Sequence, residues 1–292
     1  MAETVLETSG LTMRFGGVTA SDNVNFKLKA RELRCLIGPN GAGKSTFFKC
    51  VTGLLAPTGG QVFMRGQDVT GWQPHQIASM GVGIKTQTPN VMDALSVHEN
   101  IWLAARRFYP VSEARDRAVA SIVRLALGAF ARSVLCQLSH VERQRVELGI
   151  VAVAEPWLVL LDEPAAGMSA QDVERMTEII HDLTQSAAVV IVEHDMQFIR
   201  SIADTVTVFH QGAVLIEDHV DRVMSDAQVR AVYLGKKNCW ITRATSCCLQ
   251  RACRAAMAGS RSCMAATLMW PRLRASGFWG TTAWARPRCS RL

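Results

Sequence analysis

Residues 38–46 read GPNGAGKST, with an apolar stretch, Leu33–Ile37, before them and a helix-like run, Phe47–Leu54, after. A strand that passes through G-x-x-x-x-G-K-[ST] into a helix is the context a phosphate-binding loop requires. Glycines let the backbone curl so that successive N–H groups converge on phosphate oxygens, and the helix N-terminus adds partial positive charge at the same point. On this reading Gly38, Pro39, Asn40, Gly41, Ala42 and Gly43 form the cradle. Lys44 reaches the β- and γ-phosphates, Ser45 ligates Mg2+, and Thr46 binds a phosphate through its hydroxyl.

Working outward, LVLLDE at 158–163 carries the second nucleotide signal. Four apolar residues predict a buried parallel strand. Asp162 then falls at its carboxyl end, where open α/β sheets bind ligands, suited to hold Mg2+ through water. Glu163 is placed to orient or deprotonate an attacking water. LTMRFGG and the alternation from Val24 to Leu28 predict short strands with a turn between them. Ser96 and Glu99 form a capping-box pattern, Ala114–Leu127 has helical spacing, and Val173, Met176, Ile180 and Leu183 make a core-facing stripe on a helix over 171–185. A helix, a hairpin around Gln211–Gly212 and a closing helix are expected over 196–235.

The remaining motifs give the order phosphate loop, Gln loop, LSHVERQRVELG (138–149), magnesium strand, AGMS (166–169) and VEHDM (192–196). In that order they resemble the ATP-binding subunits of ABC transporters, over residues 5–235. The resemblance implies an α/β P-loop NTPase (ABC ATPase) with a RecA-like core, an antiparallel β-subdomain and a helical subdomain at about 89–137 that docks on transmembrane permease subunits. It implies ATP and Mg2+ as ligands. Phe15 would stack on adenine, Gln87 would touch Mg2+ and water and sense the membrane partner, and His194 would contact the γ-phosphate and position water with Glu163. Ser139 and His140 would act in trans, on nucleotide held by a second ABC ATPase subunit in a closed homo- or heterodimer. A solute-binding protein outside the membrane is an indirect partner, nucleic acid is not expected, and the chain is placed peripherally on the cytoplasmic face of the cell membrane. EPAAGM, VEHDM and VYLG (232–235) resemble importers for branched-chain amino acids, urea and amides, with QTP at 87–89 and AGMS closest to the urea-type branch.

Two positions depart from the family pattern. Val141 stands at the usual signature glycine and puts a branched side chain where the backbone approaches the opposite phosphate. A hydrolysis-impaired regulatory partner is therefore an alternative, beside an ABC ATPase acting on nucleic acid. The acidic body and the transporter-type insertion argue against the latter. Thr86 stands where an aromatic is common, a change expected to affect packing at the coupling interface.

Composition divides the chain. Its 292 residues hold 32 Lys+Arg and 25 Asp+Glu, and 49% apolar content with 20% charge excludes a disordered or fibrous protein. No stretch approaches the ~20 apolar residues of a membrane helix, and MAETVLETSG lacks the layout of a signal peptide, which predicts a cytosolic globular protein. Yet residues 236–292 contain 11 basic and no acidic side chains, six of the nine Cys and four of the seven Trp, leaving −4 on residues 1–235. The tail's Arg residues form no helical stripe, and its Cys residues have no CxxC pair and no His, so neither a nucleic-acid arm nor a zinc module fits. Reverse translation shifted by two bases forces Leu across Phe278–Trp279 and Gly across both Trp279–Gly280 and Trp284–Ala285. From Gly277 the hidden frame permits LLGHNGMGKTTLL, a second phosphate loop. The tail is therefore expected to be an out-of-frame extension into a neighbouring ATPase gene, disordered and dispensable.

Overall fold

The computed structural model describes residues 3–88 and 90–234. Two long strands, β1 (Thr4–Phe15) and β2 (Val18–Lys29), form an antiparallel hairpin. β3 (Leu33–Ile37) then leaves for a second sheet, while β4 (Gly59–Met64) and β5 (Gln67–Asp68) complete the first in the order β2-β1-β4-β5. The opening strands are 12 residues each, not the short segments expected. Register shifts, one between Thr8 and Leu11 around Gly10, let the pairing run on without a break on the N-terminal side of LTMRFGG.

The second sheet takes β3, β6 (Val82–Lys85), β7 (Leu158–Asp162), β8 (Ala188–Val192), β9 (Thr205–His210) and β10 (Ala213–His219) in the order β10-β9-β3-β8-β7-β6. All neighbours are parallel except β10, which turns back from β9 through Gln211–Gly212 with positive φ at both residues, as a tight hairpin demands. LRCLI, LVLLD and AVVIV are buried at every position, which is why these strands read as continuous apolar runs. Arg34, the one basic residue among them, pairs with Glu32 and Glu217.

Helices α1 (Lys44–Val51), α2 (Pro74–Ser79), α3 (Val97–Arg106), α4 (Val111–Arg124), α5 (His140–Ala152), α6 (Ala170–Thr184), α7 (Met196–Ile202), α8 (Val220–Ser225) and α9 (Ala227–Leu234) pack around the sheets. One core joins α1 and the first sheet to one face of the second; another seats α6, α7 and α8 on the opposite face. Met176, Ile180 and Leu183 of α6 are buried and Val173 packs against them. A third apolar cluster lies under α3 and α4 and is completed by Val146 of α5 and by Val153. Ser96 and Glu99 make the reciprocal capping bonds that start α3. The tail, 236–292, lies outside the described residues.

Candidate functional site

The phosphate loop is squeezed from two sides, and two glycines make that fit. At Gly38 (φ 151°) a Cβ would lie 2.3 Å from the Phe209 carbonyl of β9, and at Gly43 (φ 103°) 2.4 Å from the Ala20 carbonyl of β2. Any side chain there would displace the loop from its supporting strands. The Gly212 N–H donates to the Ala42 carbonyl at 2.9 Å, fixing the loop to the β9–β10 turn. No side chain caps α1, so its leading N–H groups stay free for an acceptor. Lys44 is buried, and its Nζ donates to the carbonyls of Gly38 (2.6 Å) and Pro39 (3.2 Å), curling across the loop mouth. Burial holds its pKa below the usual lysine value, while Glu163 and Asp162 oppose that shift. Ser45 is exposed and Thr46 half-buried in the first turn of α1. Phe15, 47% exposed, ends β1 opposite the exposed Val18, in the sheet whose Ala20 presses on the loop.

Asp162 ends β7 as a buried carboxylate. Among the described residues its Oδ1 has no hydrogen-bond partner. Burial first, and then the charge of Glu163, push its pKa up to about 6. An orphaned carboxylate oxygen and a serine hydroxyl on the phosphate-loop helix suit Mg2+, a hard ion that takes few protein oxygens and completes its shell with water and phosphate. Among the described residues no group of three His, Cys, Asp or Glu converges on one point, so a resident all-protein metal cage is not built.

Glu163 adopts φ 47°, a left-handed conformation that a glutamate rarely takes, and its N–H donates to the Val192 carbonyl of β8 at 3.0 Å. This bend turns the carboxylate toward His194, whose Nδ1 lies 3.4 Å from Glu163 Oε1. Sequence reading passed over Glu193. Its side chain is 1% exposed, with Oε1 accepting from the Ala165 N–H (3.2 Å) and Oε2 from the His194 N–H (3.0 Å). Burial raises its pKa. The carboxylate thus ties the loop after Glu163 to the backbone of His194; an acidic residue ending an apolar strand was the available signal.

Gln87 is exposed two residues beyond β6, whose end lies beside β7 in register Lys85↔Leu161. Thr86, half-buried, lines a cavity of about 590 Å3 with Arg107, Phe108 and Ile150, space that a larger side chain at that position would enter. Ser139 and His140 are exposed at the start of α5. Ser139 and Glu142 make the reciprocal capping bonds, and Val141 has ordinary right-handed helical geometry in that first turn. The local backbone therefore does not demand glycine at 141. A Cβ at Gly167 would lie 3.6 Å from His140 Cδ2, so the ring sits against the loop that follows Glu163. The structure brings Lys44, Asp162, Glu163 and His194 to the carboxyl ends of the neighbouring strands β3, β7 and β8. Among the described residues no hydrogen bond or ion pair joins Ser139 or His140 to 38–46 of the same chain.

A buried cation flanked by carboxylates, a donor-rich loop and an orphaned acid are the parts needed to bind and cleave a nucleoside triphosphate. The sequence pattern of the ABC transporter family matches residues 21–166. The chain is 34% identical over 254 residues to the high-affinity branched-chain amino acid transport ATP-binding protein LivG of Escherichia coli K12, covering 81% of this chain and 100% of that one. It is 32% identical to BraF of Pseudomonas aeruginosa, a protein of the same description, over the same shares. In fold it is similar to the crystal structure of the ADP conformation of an ATP-binding cassette of an ABC transporter, with a TM-score of 0.74 at 23% identity over 80% of this chain and 99% of that one. The chain belongs to the ABC transporter family, as one of its ATP-binding, ATP-hydrolysing subunits.

Proposed function

We propose that this subunit energises an importer of branched-chain amino acids or of urea and small amides. The observation that carries the reading is the match to LivG over that protein's whole length. QTP at 87–89 and AGMS at 166–169 favour the urea-type branch on the chain's own residues. The test is uptake: a strain lacking this chain should lose ATP-dependent accumulation of labelled leucine or of labelled urea, restored by the wild-type chain and not by Lys44→Ala. Unchanged uptake of both solutes would overturn the assignment.

Within the site, the loop at 38–46 and Lys44 would bind the phosphates, and Phe15 would stack on the base. Mg2+, held by Ser45, Gln87 and Asp162, supplies positive charge against the phosphate oxygens when bound. Glu163 would accept the proton of the attacking water while His194 holds the carboxylate and the γ-phosphate in line. Ser139 and His140, exposed at the start of α5, would complete the site of a second subunit. The groove lined by Thr86, Arg107 and Phe108 would give the permease a docking surface near Gln87 and so hold the chain at the cytoplasmic face of the membrane. A solute-binding protein would deliver cargo to that permease without touching this chain. Residues 1–235 would form the working cassette. Val141 supports a second reading, a subunit that binds ATP but turns it over slowly.

A further inference from the structure

The region of α3, α4 and α5 meets the second sheet along a seam between β6 and α5, and two contacts define it. At Gly83 the Val151 side chain sits so close on the strand that a Cβ would lie 2.5 Å from its Cγ1. Two residues on along the strand, Lys85 Nζ stands 3.5 Å from Glu147 Oε2, with side chains only 3% and 7% exposed. Residues 83 and 85 share one face of β6, and 151 and 147 share one face of α5, so the contacts are successive rungs about 6 Å apart on antiparallel rails. On the other face of α5, a Cβ at Gly149 would lie 2.6 Å from Leu125 Cδ1 and 3.1 Å from Ile101 Cδ1, so α5 is wedged against the α3–α4 layer.

The first rung is steric and acts as a pivot. The second is ionic, beside a small cavity of about 30 Å3 lined by Lys85, Glu147, Thr86 and Ile150, so apolar packing does not lock the helix at that level. Burying two charges carries a desolvation penalty, and an apolar pair of similar volume is commonly as stable. What such a pair can add over an apolar replacement is register, because only one alignment of strand and helix brings the two charges together. The strand ends at Lys85, with Gln87 two residues beyond it in the exposed loop, while on the helix side the next turn toward the start of α5 carries Arg143 and Gln144. Gln144 Nε2 lies 3.3 Å from His140 Nε2, at the exposed start of α5.

We propose that the Lys85–Glu147 pair is a positioning strut that sets the start of α5, with Ser139 and His140, against the Gln87 loop, so that a change at Gln87 moves the signature. The proposal rests on the nucleotide-site reading above. Lys85→Met alone leaves Glu147 buried without a counter-charge and is expected to unfold readily, so the decisive variant is Lys85→Met with Glu147→Leu, which refills the seam. Hydrogen–deuterium exchange on the full chain, with and without Mg-ATP, reads both ends of the strut. In wild type, Mg-ATP should change exchange in the Gln87 loop and in residues 139–145. In the double variant the Gln87 loop should still respond, with ATP affinity retained, while the response at 139–145 is lost; Lys85→Arg should keep it. A double variant that binds ATP and responds at 139–145 like wild type overturns the strut, as does a wild type that binds ATP without any response there. A wild type that fails to bind ATP overturns the nucleotide-site reading, and the strut with it.

Discussion

His194 Nδ1 lies 3.4 Å from Glu163 Oε1, across the ends of two adjacent strands in which Asp162 pairs with Val192. The acid and the imidazole thus follow directly on paired strand ends, one and two residues beyond the sheet. Glu163→Gln keeps the shape and removes the base. Calorimetry should find ATP binding unchanged while phosphate release falls by about a hundredfold or more. Loss of binding in this variant would mean that Glu163 serves the phosphates and not the water.

Lys44→Ala should abolish ATP binding. Its ammonium is already desolvated and pinned to the Gly38 and Pro39 carbonyls, so it meets incoming phosphate with little reorganisation. Equal nucleotide affinity in wild type and variant would sink the loop assignment.

Val141→Gly separates activity from stability. Turnover should rise at least about tenfold as the partner's phosphate regains close backbone approach, with ATP affinity of the monomer unchanged. The same change weakens the first turn of α5 by about 0.3–0.5 kcal/mol, the difference between Val and Gly in helix propensity, so the melting temperature should fall slightly. Equal hydrolysis rates would show that the signature tolerates the branched side chain.

Asp162 makes the metal-free protein pH-sensitive. Its folded pKa of about 6 lies above the ordinary aspartate value, so the folded state favours the protonated form. The penalty grows as pH rises from about 4 through 6 and is complete above it, amounting to about 3 kcal/mol. In chelator at about pH 8, Asp162→Asn should raise the melting temperature, and the gap should close as pH falls toward 4. An unchanged gap across that range would show that the carboxylate is not the titrating group.

Removal of residues 236–292 should leave nucleotide affinity and turnover unaltered, since every residue assigned to the nucleotide site lies between Phe15 and His194. A loss of either on truncation would place a working part of the cassette in the tail.

Residues 38–46, LVLLDE and the β-branched run before His194 were legible because each concentrates its chemistry at one strand end, and a local spacing records it. The β9–β10 hairpin and the α6 stripe were legible for the same reason, each being a short-range pattern. Glu193 was not, since only the fold shows that a carboxylate between Val192 and His194 turns inward to bind two backbone N–H groups. Lys85 and Glu147 are 62 positions apart, and neither sits in a periodic pattern that announces its partner. The length of β1 was hidden by a register shift that keeps Gly10 inside the strand. Pairings of distant residues and irregular strands depend on tertiary context, which local spacing does not record.

Phe47 of α1 packs edge-on to Phe26 of β2 and at a tilt to Phe209 of β9, with ring centroids 5.5 and 5.3 Å away. Three rings from three elements rivet the helix behind the phosphate loop to both sheets at once. The chain therefore gives up that loop's freedom when it folds rather than when nucleotide arrives, and binding does not have to repeat the ordering cost. The loop becomes the molecule's fixed frame of reference. Any change of shape that accompanies nucleotide turnover has to be taken up elsewhere, by the elements these rings do not touch.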